Sequence, residues 1–272
     1  MQSASREAFK QVREQANSVL GRYSTDGLIG LAQELYAVAD LLTAQPRLRR
    51  RLADSAAAPE HRTGMARTLL EGKISASALS IVEQAVSVRW SAAWDLVDAL
   101  ETSGDDVLLA AADSDGVLDE VEDELFRLER ILDAASDLTT LLDQAAVDGS
   151  TRTKLLDSVI EEKVNRVTLA LVRHAVVTQR KRSILLAVDE LIESAGARRE
   201  RSVARVISAI ELTQQQERAL ADKLSELYDR RIEVRYAVDP AVRGGLVVRV
   251  GDEIIDGSVM SRLNQIRSAF SN

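Results

Sequence analysis

Cysteine is absent from the chain, which excludes disulfides, thiolate nucleophiles and Cys-ligated metals. Aromatic residues are scarce, at 3%, so a core must be assembled mainly from Leu, Val, Ile and Ala, as in helix-on-helix packing. Only three prolines occur, Pro46, Pro59 and Pro240, and long stretches are left free to be helical. There is no run of about 18 uncharged apolar residues, and residues 1–10 lack the apolar stretch of a signal peptide. The chain is therefore expected to remain in the compartment where it is made. Net charge is −8, and no stretch approaches the basic patch that phosphate neutralisation requires, so nucleic acid is not an expected partner. The run Arg49-Arg50-Arg51 is the best basic candidate and reads as a solvated helix face.

What is present is the composition of a packed globular protein, 46% hydrophobic and 29% charged. With 272 residues there is room for about two domains, or three small ones. In residues 120–135 the positions Val121, Leu125, Leu128 and Leu132 recur at three- and four-residue steps, and Leu31, Leu35, Val38 and Leu42 do the same in 31–42. Both spacings give an apolar stripe on a helix. Roughly the first 195 residues read this way.

This helical region holds one unit twice. Leu35, Leu42, Leu48 and Leu52 match Leu125, Leu132, Leu138 and Leu142 at a constant offset of 90. Glu71-Gly72-Lys73-Ile74 matches Glu161-Glu162-Lys163-Val164, and Leu79, Val82, Ala85 and Val86 match Leu169, Val172, Ala175 and Val176 at the same offset. One inserted residue later, Val97-Asp98 and Leu100 match Val188-Asp189 and Leu191. Two similar bundles in series are expected, meeting near Thr102-Ser103-Gly104-Asp105.

After Gly196 the period changes. Residues 232–238 alternate, with Ile232, Val234, Tyr236 and Val238 on one strand face, and Leu246, Val248 and Val250 repeat the pattern. Asp239-Pro240 and Gly244-Gly245 supply a turn and a close backbone approach, and Gly251-Asp252 is a hairpin signal before Ile254-Ile255. Thr213 and Gln216 form a capping box ahead of Leu220, Leu224, Leu227 and Tyr228. Val259, Leu263, Ile266 and Phe270 mark a closing helix. With the apolar run 203–212 the order is strand, helix, strand, strand, short strand, helix.

Signals for chemistry are few. His61, placed in a polar loop, and His174, in an apolar helix, read as surface and packing residues. There is no GxxxxGK[ST], no GxGxxG and no G-x-S-x-G. Asp252, Glu253 and Asp256 are the one acidic cluster with the chemistry for a hard cation, which would suit a metal-dependent hydrolase. Asp252 is better read as a turn residue and Asp256 as the N-cap of the closing helix, since Asp favours both places. A helical adaptor that binds peptides fits the bundles but gives no reason for the glycine pattern.

The stretch from Val238 to Val259, with its Gly244-Gly245 pair, Gly251-Asp252 hairpin and Ile254-Ile255-Asp256-Gly257-Ser258 run, resembles the C-terminal signature of the ATP synthase delta subunit family, which includes the mitochondrial oligomycin-sensitivity-conferring protein. Arg243 stands where an aliphatic residue is usual. Residues 105–195 resemble the family's helical bundle more weakly, and residues 1–104 are an additional copy, as in the long chains of high-GC Gram-positive bacteria. The resemblance implies a mainly α fold: a helical bundle over 1–104, a second over 105–198, and a small α/β domain over 199–272. Gly244, Gly245, Gly251, Asp252, Asp256 and Gly257 are then structural signature residues, with no catalytic, cofactor or metal site. It also implies a non-enzymatic stator role in proton-driven ATP synthesis. One copy would join the N-terminal helices of alpha subunits to b-type stalk subunits at the cytoplasmic face of the bacterial membrane, without inserting into it.

Overall fold

In a computed structural model the residues described are 3–144, 146–161, 163–178, 183–228, 232–239, 242, 245–250 and 253–256. They divide into two compact units, Met1–Ala195 and Gly196–Asn272. The first is helical: α1 (Ser3–Leu20), α2 (Thr25–Ala44), α3 (Pro46–Leu52), α4 (Pro59–Leu70), α5 (Ala76–Ser87), α6 (Ala93–Asp115), α7 (Leu118–Ala134), α8 (Ser136–Asp143), α9 (Gly149–Ile160), α10 (Arg166–Val177) and α11, which starts at Ile184 and runs to Ser202. Pro46 and Pro59 open α3 and α4, where a missing N–H costs nothing and the fixed φ suits the first turn. His61 lies in α4, not in a loop, and is exposed.

The offset of 90 carries through to helix boundaries. Moving α4 and α5 by 90 residues reproduces the bounds of α9 and α10, and α3 and α8 start 90 residues apart. Polar ties repeat with it. The Glu34 carboxylate of α2 accepts the Ser75 N–H at 3.0 Å, at the N-cap of α5. Ninety residues on, Glu124 of α7 accepts the Asn165 N–H at 2.9 Å, at the N-cap of α10. Both carboxylates sit at a helix N-terminus, where open N–H groups and the helix dipole favour negative charge. Arg67 pairs with Glu83 across α4 and α5 at 2.7 Å, and the same two positions in α9 and α10 carry Asp157 and Arg173, also paired at 2.7 Å with the signs exchanged.

Between the copies no loop exists. Thr102–Asp105, expected as the junction, lies inside α6, and the first compact unit continues to Ala195. Helix α6 packs against α1, α2, α3 and α5 of the first copy and α7 and α10 of the second. Its residues Asp106 to Ala112 are buried without interruption. A helix with no solvent face is a core element, not a linker. It stops at Gly116, whose φ of 72° is left-handed, and the Val117 N–H returns to the Ala112 carbonyl at 2.9 Å.

Arg49 also departs from its sequence reading. Arg50 and Arg51 are exposed, whereas Arg49 is only 8% exposed. Its Nη1 donates to the Leu42 carbonyl at 2.9 Å, and its guanidinium lies 3.5 Å from the centre of the Trp94 ring. A cation at the C-terminal end of α2 meets open carbonyls, and the aromatic face removes the need for water on the other side. By length and composition α2 is apolar enough to cross a membrane; here Leu28, Leu31, Leu35, Val38 and Leu42 of that helix are buried in the bundle.

The second unit has β1 (Val203–Ser208), α12 (Gln214–Tyr228), β2 (Glu233–Val238), β3 (Leu246–Val250) and β4 (Glu253–Asp256). Strand order is β2-β1-β3-β4, with β1 parallel to β2 and the other pairs antiparallel. The capping box forms as expected: Thr213 N–H donates to Gln216 Oε1 at 2.9 Å. Helix α12 covers one sheet face, with Leu220, Leu224 and Tyr228 against Ala204, Val206, Val234, Tyr236, Val248 and Val250. The closing helix expected over 259–270 lies outside the described residues.

Glycine at position 104 is set by contact: a Cβ there would stand 2.3 Å from Tyr36 Cε1. Gly30, also within a helix, has nothing within 4 Å of the same position. Gly104→Ala is expected to lower stability by about 1–3 kcal/mol through overpacking, although Ala is the better helix former by about 1 kcal/mol. Gly30→Ala should raise it by about that propensity difference. Urea unfolding of the two variants checks the opposite signs.

Candidate functional site at the junction of the two bundles

The residues that join the copies converge on α6. The Tyr36 ring of α2 lies so close to Gly104 that a Cβ there would stand within 3 Å of it, and the same ring stacks on His174 of α10, with ring centres 3.5 Å apart and planes 8° from parallel. A helix of the first copy is thus held directly to a helix of the second, beside the shared one. The Tyr36 hydroxyl donates to Asp105 Oδ1 at 2.6 Å. Beside this contact Arg13 of α1 donates to Asp106 Oδ2 at 2.7 Å. At the far end Arg166 of α10 pairs with Asp26 and lies 3.7 Å from Asp115, so α10 is tied to α2 and α6 at two places.

The electrostatics are unusual for a carboxylate. Burial raises the Asp105 pKa from 3.8 to about 7; the neighbouring charges of Asp106, Glu101 and Glu190 raise it further, against the lowering effect of the Tyr36 hydrogen bond. Burial and then the Asp105 charge push the Tyr36 hydroxyl well above its usual range, so it remains a donor. This cluster was not legible as a site in the sequence, since Tyr36, Asp105 and His174 are widely spaced; only the packing role of His174 was. The arrangement holds helices in register.

The signature residues of the second unit are placed as follows. Gly245 has a φ of 88°, a left-handed conformation that excludes most side chains. Asp256 is the last residue of β4, exposed and opposite Val247; the helix it was expected to cap lies outside the described residues. Gly244, Gly251, Asp252 and Gly257 lie outside the described residues. Glu253 and Asp256 are three apart in a strand and so point to opposite faces; Glu253 accepts the Tyr228 hydroxyl at 2.9 Å. The two are not brought together to share a cation, and among the described residues no group of three or more His, Cys, Asp or Glu is placed to hold a metal.

The model of the family described as ATP synthase delta (OSCP) subunit matches residues 106–270. The chain belongs to the ATP synthase delta family. It is 40% identical over its whole length, and that of the relative, to the ATP synthase subunit delta of Corynebacterium urealyticum. It is 39% identical to that of Salinispora arenicola, with 100% of this chain and 99% of the relative covered. For the Streptomyces griseus protein of the same name the identity is 40%, with 97% of each chain covered. The family model begins at Asp106, on α6, and leaves residues 1–105 outside. The delta relatives align through that region as well, so the additional copy is common to them and this chain.

Because the folded state holds the Asp105 proton more tightly than the unfolded chain does, its contribution to stability falls as pH rises from about 4 to about 7 and is level above. Asp105→Asn keeps an acceptor for Tyr36 without the charge. It is expected to be more stable than the parent at pH 8, on the order of 1–2 kcal/mol after screening at this half-buried carboxyl. That advantage should disappear by pH 5. Denaturant melts of both chains across this range provide the measurement.

Proposed function

We propose that the chain is a non-catalytic connector of the stator in an F-type ATP synthase, joining the N-terminal helices of alpha subunits to b-type stalk subunits at the cytoplasmic face of the bacterial membrane. Full-length similarity to delta subunits carries this reading. Its helical frame is consistent with mechanical coupling: α6 transmits load between two bundles that no flexible linker separates. Resistance to rotor torque requires slow dissociation, and nanomolar binding corresponds to about −12 kcal/mol. Two bundles in one chain raise the effective concentration of the second contact once the first is made.

The additional copy suggests a second alpha-subunit helix as its ligand, since helix-in-groove recognition suits Leu- and Val-striped bundles. A fragment ending at residue 104 would sever α6, so the test uses the full chain. Calorimetric titration with a peptide of the alpha-subunit N-terminal helix should give two equivalents bound per chain. One equivalent sinks the role of the additional copy, and none sinks the alpha contact itself. In reconstitution with catalytic head and stalk fragments, the chain should bridge the two and show no ATP turnover alone.

A further inference from the structure

Helix α6 belongs to both copies. It starts 90 residues after α1, at Ala93 against Ser3, and α11 starts 91 residues after α6, at Ile184. It is therefore the last helix of the first copy and the first helix of the second. In this series of two, the first copy buries part of its surface on the second through Tyr36 of α2, 7% exposed and stacked on His174 of α10. Units of a repeat cover one another, and the units at the ends need polar outer faces or a partner.

The two ends of the series differ. At the first, α1 turns Arg6, Glu7, Lys10 and Glu14 to solvent. At the second, the counterpart of Tyr36 ninety residues on is Phe126 of α7, which is 44% exposed. Ile131 and Leu141 are exposed as well, whereas of the matching positions 41 and 51 only Leu41 is apolar. Position 126 keeps the ring of position 36 with no third copy to cover it.

Charge narrows what covers it. Helix α10, which covers Tyr36, carries Arg166, Arg173 and His174 and no carboxylate, and Arg166 pairs with Asp26 and Asp115 of the first copy. Helix α7 carries seven acidic and two basic side chains. Asp119, Asp123, Phe126, Arg130 and Asp133 follow one another at three- and four-residue steps and are all exposed, so they share one flank. Gly116 stands where the first copy has Asp26, so the ligand of this flank meets its carboxylates further along the helix than α10 does. A second copy of this chain would bring the other end of the series, α1, whose exposed Arg6, Glu7, Lys10 and Glu14 balance and give no net complement.

We infer that the exposed flank of α7 receives a basic amphipathic helix of another subunit, with an apolar side chain on Phe126 and Lys or Arg toward Asp123 and Asp133. Aromatic anchors supply most of the energy of such contacts, and charges at the rim set their salt dependence. This contact is additional to the alpha-subunit helices, and it rests on the reading that the chain works inside the ATP synthase.

The chain has no cysteine, so Arg130→Cys places a single maleimide-reactive site on the flank, and it removes no charge that a basic ligand needs. Labelling of this full-length variant is timed free, with saturating alpha-subunit N-terminal peptide, and bound to head-plus-stalk particles stripped of this subunit. Labelling should slow about tenfold or more in the particles and be unchanged by the peptide. Phe126→Ser should bind the particles about tenfold more weakly. Asp123→Asn with Asp133→Asn should bind more weakly than the parent at low salt and equally at high salt. Equal labelling of the free and bound chain overturns the inference, whatever the substitutions do to folding. So does protection by the alpha peptide alone, which would give the flank to the alpha contact, and so does protection that grows with the concentration of the chain alone, which would make it a surface between copies. Parent affinity in Phe126→Ser overturns it too. Failure of the parent chain itself to bind the particles overturns the connector reading, and the inference with it.

Discussion

A single helix has to serve as the inner wall of two bundles, and the rest of residues 1–195 is arranged around that constraint. Helix α6 can be approached closely because its packing surface includes Ala99, Gly104 and Ala110 to Ala112. Tyr36 comes close to Gly104, and the same ring stacks on His174. Stacked rings combine area with orientation, so one contact fixes both the distance of α2 from α6 and the placement of α10. Around it the buried charges are accommodated by partners: Arg13 with Asp106, Glu124 with the start of α10 and with Thr168.

Corresponding positions in the copies solve the same problem with different chemistry. Arg49 satisfies the Leu42 carbonyl at the end of α2, and ninety residues later the shorter Thr139 satisfies the Leu132 carbonyl at the end of α7, at 2.6 Å. Arg62 and Arg152 are both buried and both donate to main-chain carbonyls, those of Val88 and Ser87 in the first copy and of Leu142 in the second. At 49 and 139 different side chains satisfy the equivalent carbonyl, and at 62 and 152 the same side chain reaches non-equivalent ones, since open backbone groups demand a partner but not a particular one.

Much of this was legible before any coordinates. Period 3.6 located the stripes of α2 and α7, the offset of 90 located the duplicated helices, and period two located β2 and β3, because each pattern is a local consequence of backbone geometry. The shared helix escaped because Thr102-Ser103-Gly104-Asp105 has the composition of a loop; burial against Tyr36 overrides that propensity. Arg49 escaped for a related reason: a charged run reads as solvated until a ring and two carbonyls from distant positions surround one member of it. Residues 36, 105 and 174 form a cluster only through tertiary packing, which no periodicity announces.

A chain that contains the same helical hairpin twice risks joining half of one to half of the other while it folds. The exchanged signs at the α4–α5 and α9–α10 ion pairs act against that outcome. If α4 met α10, Arg67 would face Arg173; if α9 met α5, Asp157 would face Glu83. Each mispairing would replace an attraction with a repulsion. Two surface pairs that add little to the finished fold therefore act chiefly as a key, rejecting the wrong hairpin and leaving each copy to close on itself.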